Sequence, residues 1–83
     1  MTAMDLRATV LYFAALREAA GTASELVEAQ GDLGALYDRL GARHGFRFQR
    51  TQLRVAVDGS FAEWRDPVRA GSEIAFIPPV SGG

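Results

Sequence analysis

The order of strand-like and helix-like segments in this 83-residue sequence predicts an α+β fold, with one main helix packed on one face of a four- or five-stranded sheet. Two observations support the prediction. Apolar side chains alternate with other side chains in residues 6–14, 53–57 and 73–77, which is typical of strands. Between residues 32 and 45 the apolar spacing changes to that of a helix. Because this length suffices for only one hydrophobic core, we expect one domain, residues 1–79, and a short flexible tail, residues 80–83.

The first segment, LRATVLYFA (residues 6–14), is predicted to be an interior strand because both of its faces carry apolar side chains. One face carries Leu6, Ala8, Val10 and Tyr12, and the other carries Thr9, Leu11 and Phe13. The following ALREAAG contains good helix formers, which predicts a short helix closed by Gly21 in a left-handed conformation. The next segment, ASELVEA, is a weaker strand prediction because two apolar residues are adjacent in it.

The main helix is predicted to follow Asp32, which can accept a hydrogen bond from a free backbone N–H at the helix start. Gly45 stands where a left-handed cap would end the helix. Gly41 lies on the apolar stripe, and we expect a close approach of helix to sheet there. His44 ends the stripe and is expected to be a structural residue at the helix C-terminus rather than a catalytic one. The stripe consists of Leu33, Leu36, Tyr37, Leu40, Gly41 and His44.

The second half of the chain is predicted to contain a hairpin and a final strand. LRVAV (53–57) alternates as a strand, and Asp58-Gly59 is a turn pair typical of tight hairpins, so a short partner strand should follow. A loop broken by Pro67 and Gly71 leads to the strand EIAFI (73–77), which ends at Pro78-Pro79.

One main helix can cover only one face of such a sheet. The apolar residues of opposite parity are therefore expected to stay partly exposed and to mark a binding surface. They are Leu11, Phe13, Phe61 and Ile77. The alternative is that the short helix and the loops cover them. Trp64 is expected to lie in the core.

The composition argues against self-contained catalysis. The chain has no cysteine, which excludes a thiol nucleophile, a disulfide and a thiolate metal site, and His44 is the only histidine. All nine basic residues are arginine, so no lysine can accept an acyl group. No apolar run is long enough to span a membrane and no export signal opens the sequence, so we expect a cytoplasmic protein.

A net charge of −1 gives no general attraction to nucleic acid. The one basic stretch is either a solvated loop or a docking patch for an acidic partner or a phosphate. It consists of Arg43, His44, Arg47, Arg50 and Arg54.

The C-terminal sequence FIPPVSGG suggests a working tail. Pro78 and Pro79 restrict the backbone, so the last strand should leave the sheet as a stiff arm. The four residues after them would reach roughly 13 to 14 Å when extended, and glycines would pass through a narrow channel. The carboxylate of Gly83 is ionised at neutral pH and could attack the α-phosphate of ATP to form an acyl-adenylate. A sulfur nucleophile would then convert the adenylate into a thiocarboxylate. The alternative is a frayed terminus without function.

The tail FIPPVSGG, the preceding GSEIA and the opening VLYFAALREAAG together resemble the MoaD-type small subunit of molybdopterin synthase, a ubiquitin-like sulfur carrier. The resemblance covers nearly the whole chain. It implies a β-grasp fold with a mixed sheet, adenylation by an activating enzyme of the ubiquitin E1 type, and sulfuration by a sulfurtransferase. It also implies insertion of the tail into the large synthase subunit, within a heterotetramer, where sulfur is delivered for the dithiolene of molybdopterin. No cofactor is expected on the chain itself, since ATP is used by the activating enzyme.

The same resemblance assigns roles to individual residues. Gly83 is the site of adenylation and of the thiocarboxylate, a 1-thioglycine. Gly82 gives clearance, and Val80 and Ser81 line the inserted arm. The residues at which the family docks its partners are Phe13, Phe61, Ile77 and Pro79.

Two other functions remain open from the sequence. The chain could be a ubiquitin-like modifier conjugated to other proteins through Gly83, because the chemistry up to the adenylate is the same. It could also carry sulfur to another acceptor, such as thiazole, cysteine or tRNA, although the Pro-Pro-Val-Ser tail disfavours thiazole.

Overall fold

Five strands and two α-helices make up residues 6–79, the part of the chain that the computed structural model describes. The strands are β1 (Arg7–Tyr12), β2 (Ser24–Glu28), β3 (Arg54–Val57), β4 (Ser60–Ala62) and β5 (Glu73–Ile77). The helices are α1 (Ala14–Ala20) and α2 (Leu33–His44), and a 3₁₀ turn, Arg50–Gln52, precedes β3. The predicted α+β fold is confirmed, whereas the 3₁₀ turn was not predicted.

The strands form one mixed sheet in the order β2-β1-β5-β3-β4. β1 and β5 run parallel to each other near the middle, and the other three pairings are antiparallel. The interior position predicted for β1 is confirmed, because it has a neighbour on each side. The parallel pairing places the final strand beside the first one, so the chain leaves the sheet from a central strand.

Helix α2 begins and ends where the sequence predicts. The carboxylate of Asp32 accepts a hydrogen bond from the backbone N–H of Ala35 at 2.7 Å. At the other end Gly45 has φ of 75° and donates its backbone N–H to the carbonyl of Gly41. Both caps are local, which is why the sequence alone could locate them.

We expect Asp32→Ala to lower the free energy of unfolding by about 1 kcal/mol, because the mutation removes the hydrogen bond that caps α2. Thermal unfolding followed by circular dichroism measures the change. Asp38→Ala is the matched control on the same helix. Its carboxylate is exposed and lies 3.5 Å from Arg50, an exposed ion pair whose loss costs about 0.5 kcal/mol or less. Equal destabilisation by the two substitutions would contradict a capping role.

The core lies between α2 and one face of the sheet. Val10 and Ile74, from the two central strands, and Leu33 and Leu36, from α2, are all fully buried. The ring of Phe76 contacts Tyr37 edge-on, with centroids 5.1 Å apart, and stacks against Trp64 at 5.9 Å. Trp64 is only half-buried, so it packs against the core from the side rather than filling it. The opposite face of the sheet has no α2 against it.

The expectation of a close helix-to-sheet approach at Gly41 is wrong. A β-carbon built at Gly41 would lie 3.8 Å from the side chain of Phe46, an ordinary contact distance. A close contact does occur two turns earlier on the same side of α2, at Gly34, where the guanidinium of Arg50 occupies the space that a side chain would need. The sequence did not indicate this contact because it joins residues on α2 and on the 3₁₀ turn.

Candidate functional site

The face of the sheet opposite α2 carries a continuous row of apolar side chains, which we call the open face. The strand register aligns Leu11, Ala75, Ala56 and Phe61 side by side across β1, β5, β3 and β4. Residues paired in this way point to the same face of a sheet. Two small side chains, those of the alanines, lie between the larger Leu11 and Phe61.

The predicted exposure of this face is found. Phe13 and Phe61 are 46% and 66% exposed, while Leu11 and Ile77 are half-buried. Neither α1 nor a loop covers Phe61. Aromatic side chains, phenylalanine included, are enriched at protein interfaces. The open face is therefore a candidate docking surface.

Arg54 belongs to this surface, although the sequence analysis placed it only in the basic stretch. Its guanidinium carbon lies 5.0 Å from the centre of the Phe61 ring, within cation–π distance. In the register Arg54 is also directly opposite Ile77. The hairpin signal at Asp58-Gly59 indicates that β3 pairs with β4, because a two-residue turn sets their pairing, but only the structure shows that Arg54 lies over Phe61.

Leu26 was missed as well. It is 57% exposed and pairs with Thr9, which places it on the open face at the opposite edge from Phe61. Sequence parity could not establish which of Leu26 and Val27 faces the core. The pairing of Ala8 with Val27 decides the matter, since Val27 is then on the α2 side and is buried.

The end of β5 brings the open face next to the start of the tail. Ile77 is the last residue of the strand, Pro78 is half-buried and Pro79 is exposed. The predicted tail residues Val80, Ser81, Gly82 and Gly83 lie outside the described residues. The surface formed by Phe61, Arg54 and Ile77 therefore adjoins the point from which the tail departs.

His44 takes part in a hydrogen-bonded cluster at the C-terminal end of α2. Its Nε2 lies 2.9 Å from Oε1 of Glu25. The same oxygen accepts a hydrogen bond from the hydroxyl of Tyr12 at 2.6 Å. The second carboxylate oxygen is 2.6 Å from Arg43. Burial alone would raise the pKa of the Glu25 carboxyl, but the hydrogen bonds from these three partners outweigh it and hold the pKa below its ordinary value. A carboxylate held by three donors links β2 to α2, so the structural interpretation of His44 fits its surroundings.

The basic stretch predicted from the sequence is not a single surface. Arg43 and His44 contact Glu25, Arg50 lies near Asp38, and Arg54 lies over Phe61. The stretch is therefore neither a solvated loop nor one docking patch. The chain turns between these residues, so their side chains contact different parts of the domain. In the part of the chain that is described, no cluster of three histidine or acidic side chains is arranged to hold a metal ion.

A mixed five-stranded sheet with one long helix on one face and an open apolar face beside the C-terminal strand defines a β-grasp, ubiquitin-like domain. Solved structures agree with this assignment. SAMP1 from Haloferax volcanii superimposes with a TM-score of 0.74 at 27% identity, over 93% of this chain and 99% of that one. One chain of the complex of subunits 1 and 2 of molybdopterin-converting factor from Helicobacter pylori superimposes with a TM-score of 0.65 at 22% identity. The match covers 93% of this chain and 99% of that one.

Sequence comparison identifies the family. The ThiS family model matches residues 10–83, and the chain belongs to the ThiS family. Two relatives are called molybdopterin synthase sulfur carrier subunits. The one from Mycobacterium tuberculosis is 38% identical over 94% of this chain and 99% of its own, and the one from Homo sapiens is 38% identical over 89% and 91%. The resemblance predicted from the tail and the opening strand is thus confirmed.

No helix within residues 6–79 has the length and apolar character that a membrane crossing requires.

Proposed function

We propose that this chain is the sulfur-carrier subunit of a molybdopterin synthase and that Gly83 carries the sulfur as a thiocarboxylate. The observation that carries the proposal is the identity of 33–38% with several sulfur carrier subunits of that enzyme, over most of the chain. The Gly82-Gly83 ending supplies the reacting carboxylate. The open face supplies a docking surface beside the tail.

The chemistry at Gly83 proceeds in two steps, adenylation and sulfuration. First, a carboxylate oxygen of Gly83 attacks the α-phosphorus of ATP, a new O–P bond forms, and pyrophosphate leaves. Second, a donor at the oxidation level of hydrosulfide attacks the carbonyl carbon, and AMP leaves with the oxygen that was activated. The product is a thiocarboxylate, and neither carbon nor sulfur changes oxidation state. The chain lacks a cysteine, so the activating enzyme and the sulfurtransferase supply every other reacting group.

The acceptor reaction takes place on a partner. We propose that the tail, residues 80–83, enters the large synthase subunit while the open face binds that subunit's surface, within a heterotetramer. The subunit complex of molybdopterin-converting factor from Helicobacter pylori supports a partner of this kind. The same face would bind the activating enzyme at an earlier stage. We place these steps in the cytoplasm, where ATP is available for the adenylation.

The experiment that tests the proposal is the intact mass of the chain purified from its native cell. Replacement of one carboxylate oxygen by sulfur adds about 16 Da. A thiol-specific alkylating reagent should then add one label, although the sequence has no cysteine. An unmodified mass that persists when ATP, the activating enzyme and a sulfur source are present would reject the carrier function.

The open face gives a second prediction. Phe61→Asp should weaken binding to the large subunit about tenfold or more, because it places a charge where an exposed aromatic ring is expected to dock. Isothermal titration calorimetry measures the affinity. The melting temperature should change little, since Phe61 is 66% exposed. Ala70→Asp, in the exposed loop before β5, is the matched control and should bind normally. Unchanged binding by the Phe61 variant would remove Phe61 from the docking surface.

A second candidate function is protein modification through Gly83. It is favoured by the structural likeness to SAMP1 from Haloferax volcanii and to a second solved structure from that organism, called small archaeal modifier protein 1. Because this chain has no lysine, its conjugates could not include chains of itself linked through lysine. Lysine-linked adducts at higher mass, together with no thiocarboxylate, would favour modification over sulfur transfer. A carrier for thiazole, cysteine or tRNA would form the same thiocarboxylate at Gly83. Only an assay of which molecule receives the sulfur separates these cases.

A further inference from the structure

We propose that the exposed edge of β2 binds an extended acidic peptide segment of another protein, by addition of a strand to the sheet beside α2. This edge is remote from the Phe61 surface, since β2 and β4 are the two opposite edges of the sheet. The proposal is also independent of the chemistry at Gly83.

Leu26 is the residue of β2 whose backbone N–H and carbonyl are both open at the outer edge. Hydrogen bonds with the β1 side occur at alternate residues: the Tyr12 N–H donates to the carbonyl of Ala23, and the Ala29 N–H donates to the carbonyl of Leu6. The same phase directs the backbone groups of Val27 toward β1 and those of Leu26 away from it. Within residues 6–79 the N–H and the carbonyl of Leu26 therefore have no backbone partner.

The two ends of this edge are closed by local contacts. The hydroxyl of Thr22 bonds the carbonyl and the N–H of Ser24, and the N–H of Gln30 donates to the carbonyl of Glu28 at 3.1 Å. Leu26 lies midway between them. An added strand would thus be centred on Leu26, exchanging two hydrogen bonds with the residue directly opposite.

A groove runs along this edge between β2 and α2. Its floor consists of Leu36 and Leu40, which are buried, and its outer rim carries Arg39 and Arg43. Arg39 is exposed, and among the described residues it has no ion-pair partner. Arg43 is 61% exposed and uses one nitrogen for Glu25, which leaves donors for a second carboxylate. Side chains of an added strand that point toward α2 would meet these two guanidinium groups.

The charge on the edge differs between its two sides. Arg39 and Arg43 lie on the α2 side together with Glu25, whose carboxylate is already bonded to Tyr12, Arg43 and His44. Glu28 and Leu26 belong to the open-face side, as their pairing with Arg7 and Thr9 shows. The fitting segment therefore alternates acidic side chains toward α2 with apolar side chains toward Leu26.

A second copy of this chain fits the edge poorly. Two-fold antiparallel pairing centred on Leu26 would place both α2 helices on the same side of the joined sheet. Arg39 and Arg43 of each copy would then face the same residues of the other, and like charges placed opposite each other are destabilising. The basic rim therefore favours an acidic partner over self-association.

The test uses the full chain, labelled with ¹⁵N, and a synthetic peptide, acetyl-Thr-Val-Asp-Val-Asp-Val-Thr-amide. We expect saturable shifts of the backbone amide signals of Leu26 and Glu28. A peptide with lysine in place of both aspartates should bind at least about tenfold more weakly. A peptide N-methylated at the central valine should lose binding, because it cannot donate its hydrogen bond to the carbonyl of Leu26.

Variants of the protein separate charge from general binding. Arg39→Glu should weaken peptide binding about tenfold, whereas Arg69→Glu, at an exposed arginine in the loop before β5, should leave it unchanged. Equal binding of the N-methylated and unmethylated peptides would overturn the proposal, as would shifts confined to the Phe61 surface. A dimer of the free chain in sedimentation equilibrium that excludes the peptide would overturn it in favour of self-association.

Discussion

Removal of Gly82 and Gly83 is expected to abolish thiocarboxylate formation and to leave the fold intact. The reacting carboxylate is then carried by Ser81, two residues short of the position proposed to enter the activating enzyme. Two residues span about 7 Å of extended chain, a displacement far larger than the tolerance of a positioned reaction. The core is unaffected because the last strand ends at Ile77. Intact mass after incubation with ATP, activating enzyme and sulfur donor measures the modified fraction.

The matched control for this truncation removes two residues at the other end, Thr2 and Ala3. That variant should form the thiocarboxylate at the full rate. Both variants should show the same circular dichroism spectrum and melting temperature as the intact chain. Full modification of the chain that ends at Ser81 would disprove the tail mechanism. Loss of modification in the control would show that the assay reports chain length or handling rather than Gly83.

Replacing Phe76 by alanine is expected to have the largest effect on stability. Phe76 is fully buried in β5 and its ring contacts those of Tyr37 and Trp64. Phe→Ala substitutions in cores cost about 3 to 5 kcal/mol, since they remove buried apolar surface and leave a cavity. Small domains have a total stability of about 5 to 15 kcal/mol. We therefore expect a large fraction of the protein to be unfolded at modest urea concentrations, measured by tryptophan fluorescence of Trp64.

Phe61→Ala is the matched control, because it makes the same change on the open face. Phe61 is 66% exposed, and its one described ring contact is the cation–π pair with Arg54. Its loss should cost about 1 kcal/mol or less. Similar destabilisation by the two substitutions would show that the open face is part of the folding core, contrary to its exposure.

Short-range features of this protein were predictable from the sequence. The cap of α2 at Asp32, the left-handed residues Gly21 and Gly45, and the Asp58-Gly59 turn all depend on contacts within a few residues. The same is true of the alternation that placed Phe61 and Ile77 on a face away from α2. Gly41 shows the limit of such reasoning, because its surroundings are decided by Phe46 beyond the end of the helix.

Contacts between distant segments were not predictable. Glu25 accepts hydrogen bonds from Tyr12, Arg43 and His44, which are 13 to 19 residues away. Nothing in the local pattern of β2 indicates that Glu25, rather than Glu28, faces α2. The same pairing register determines that Val27 is buried and Leu26 is exposed.

The sequence by itself determined the fold class, the order of the elements and the family resemblance, and it led to the proposal that Gly83 is the reactive end, because periodicity, caps and terminal motifs are properties of neighbouring residues. Only the tertiary structure decided which strands are neighbours, that Arg54 lies over Phe61 beside the end of β5, and that Leu26 and Arg39 border one groove. The physical reason is that strand pairing joins residues far apart in the chain. A shift of one residue in that pairing would reverse the face on which every side chain of the strand lies.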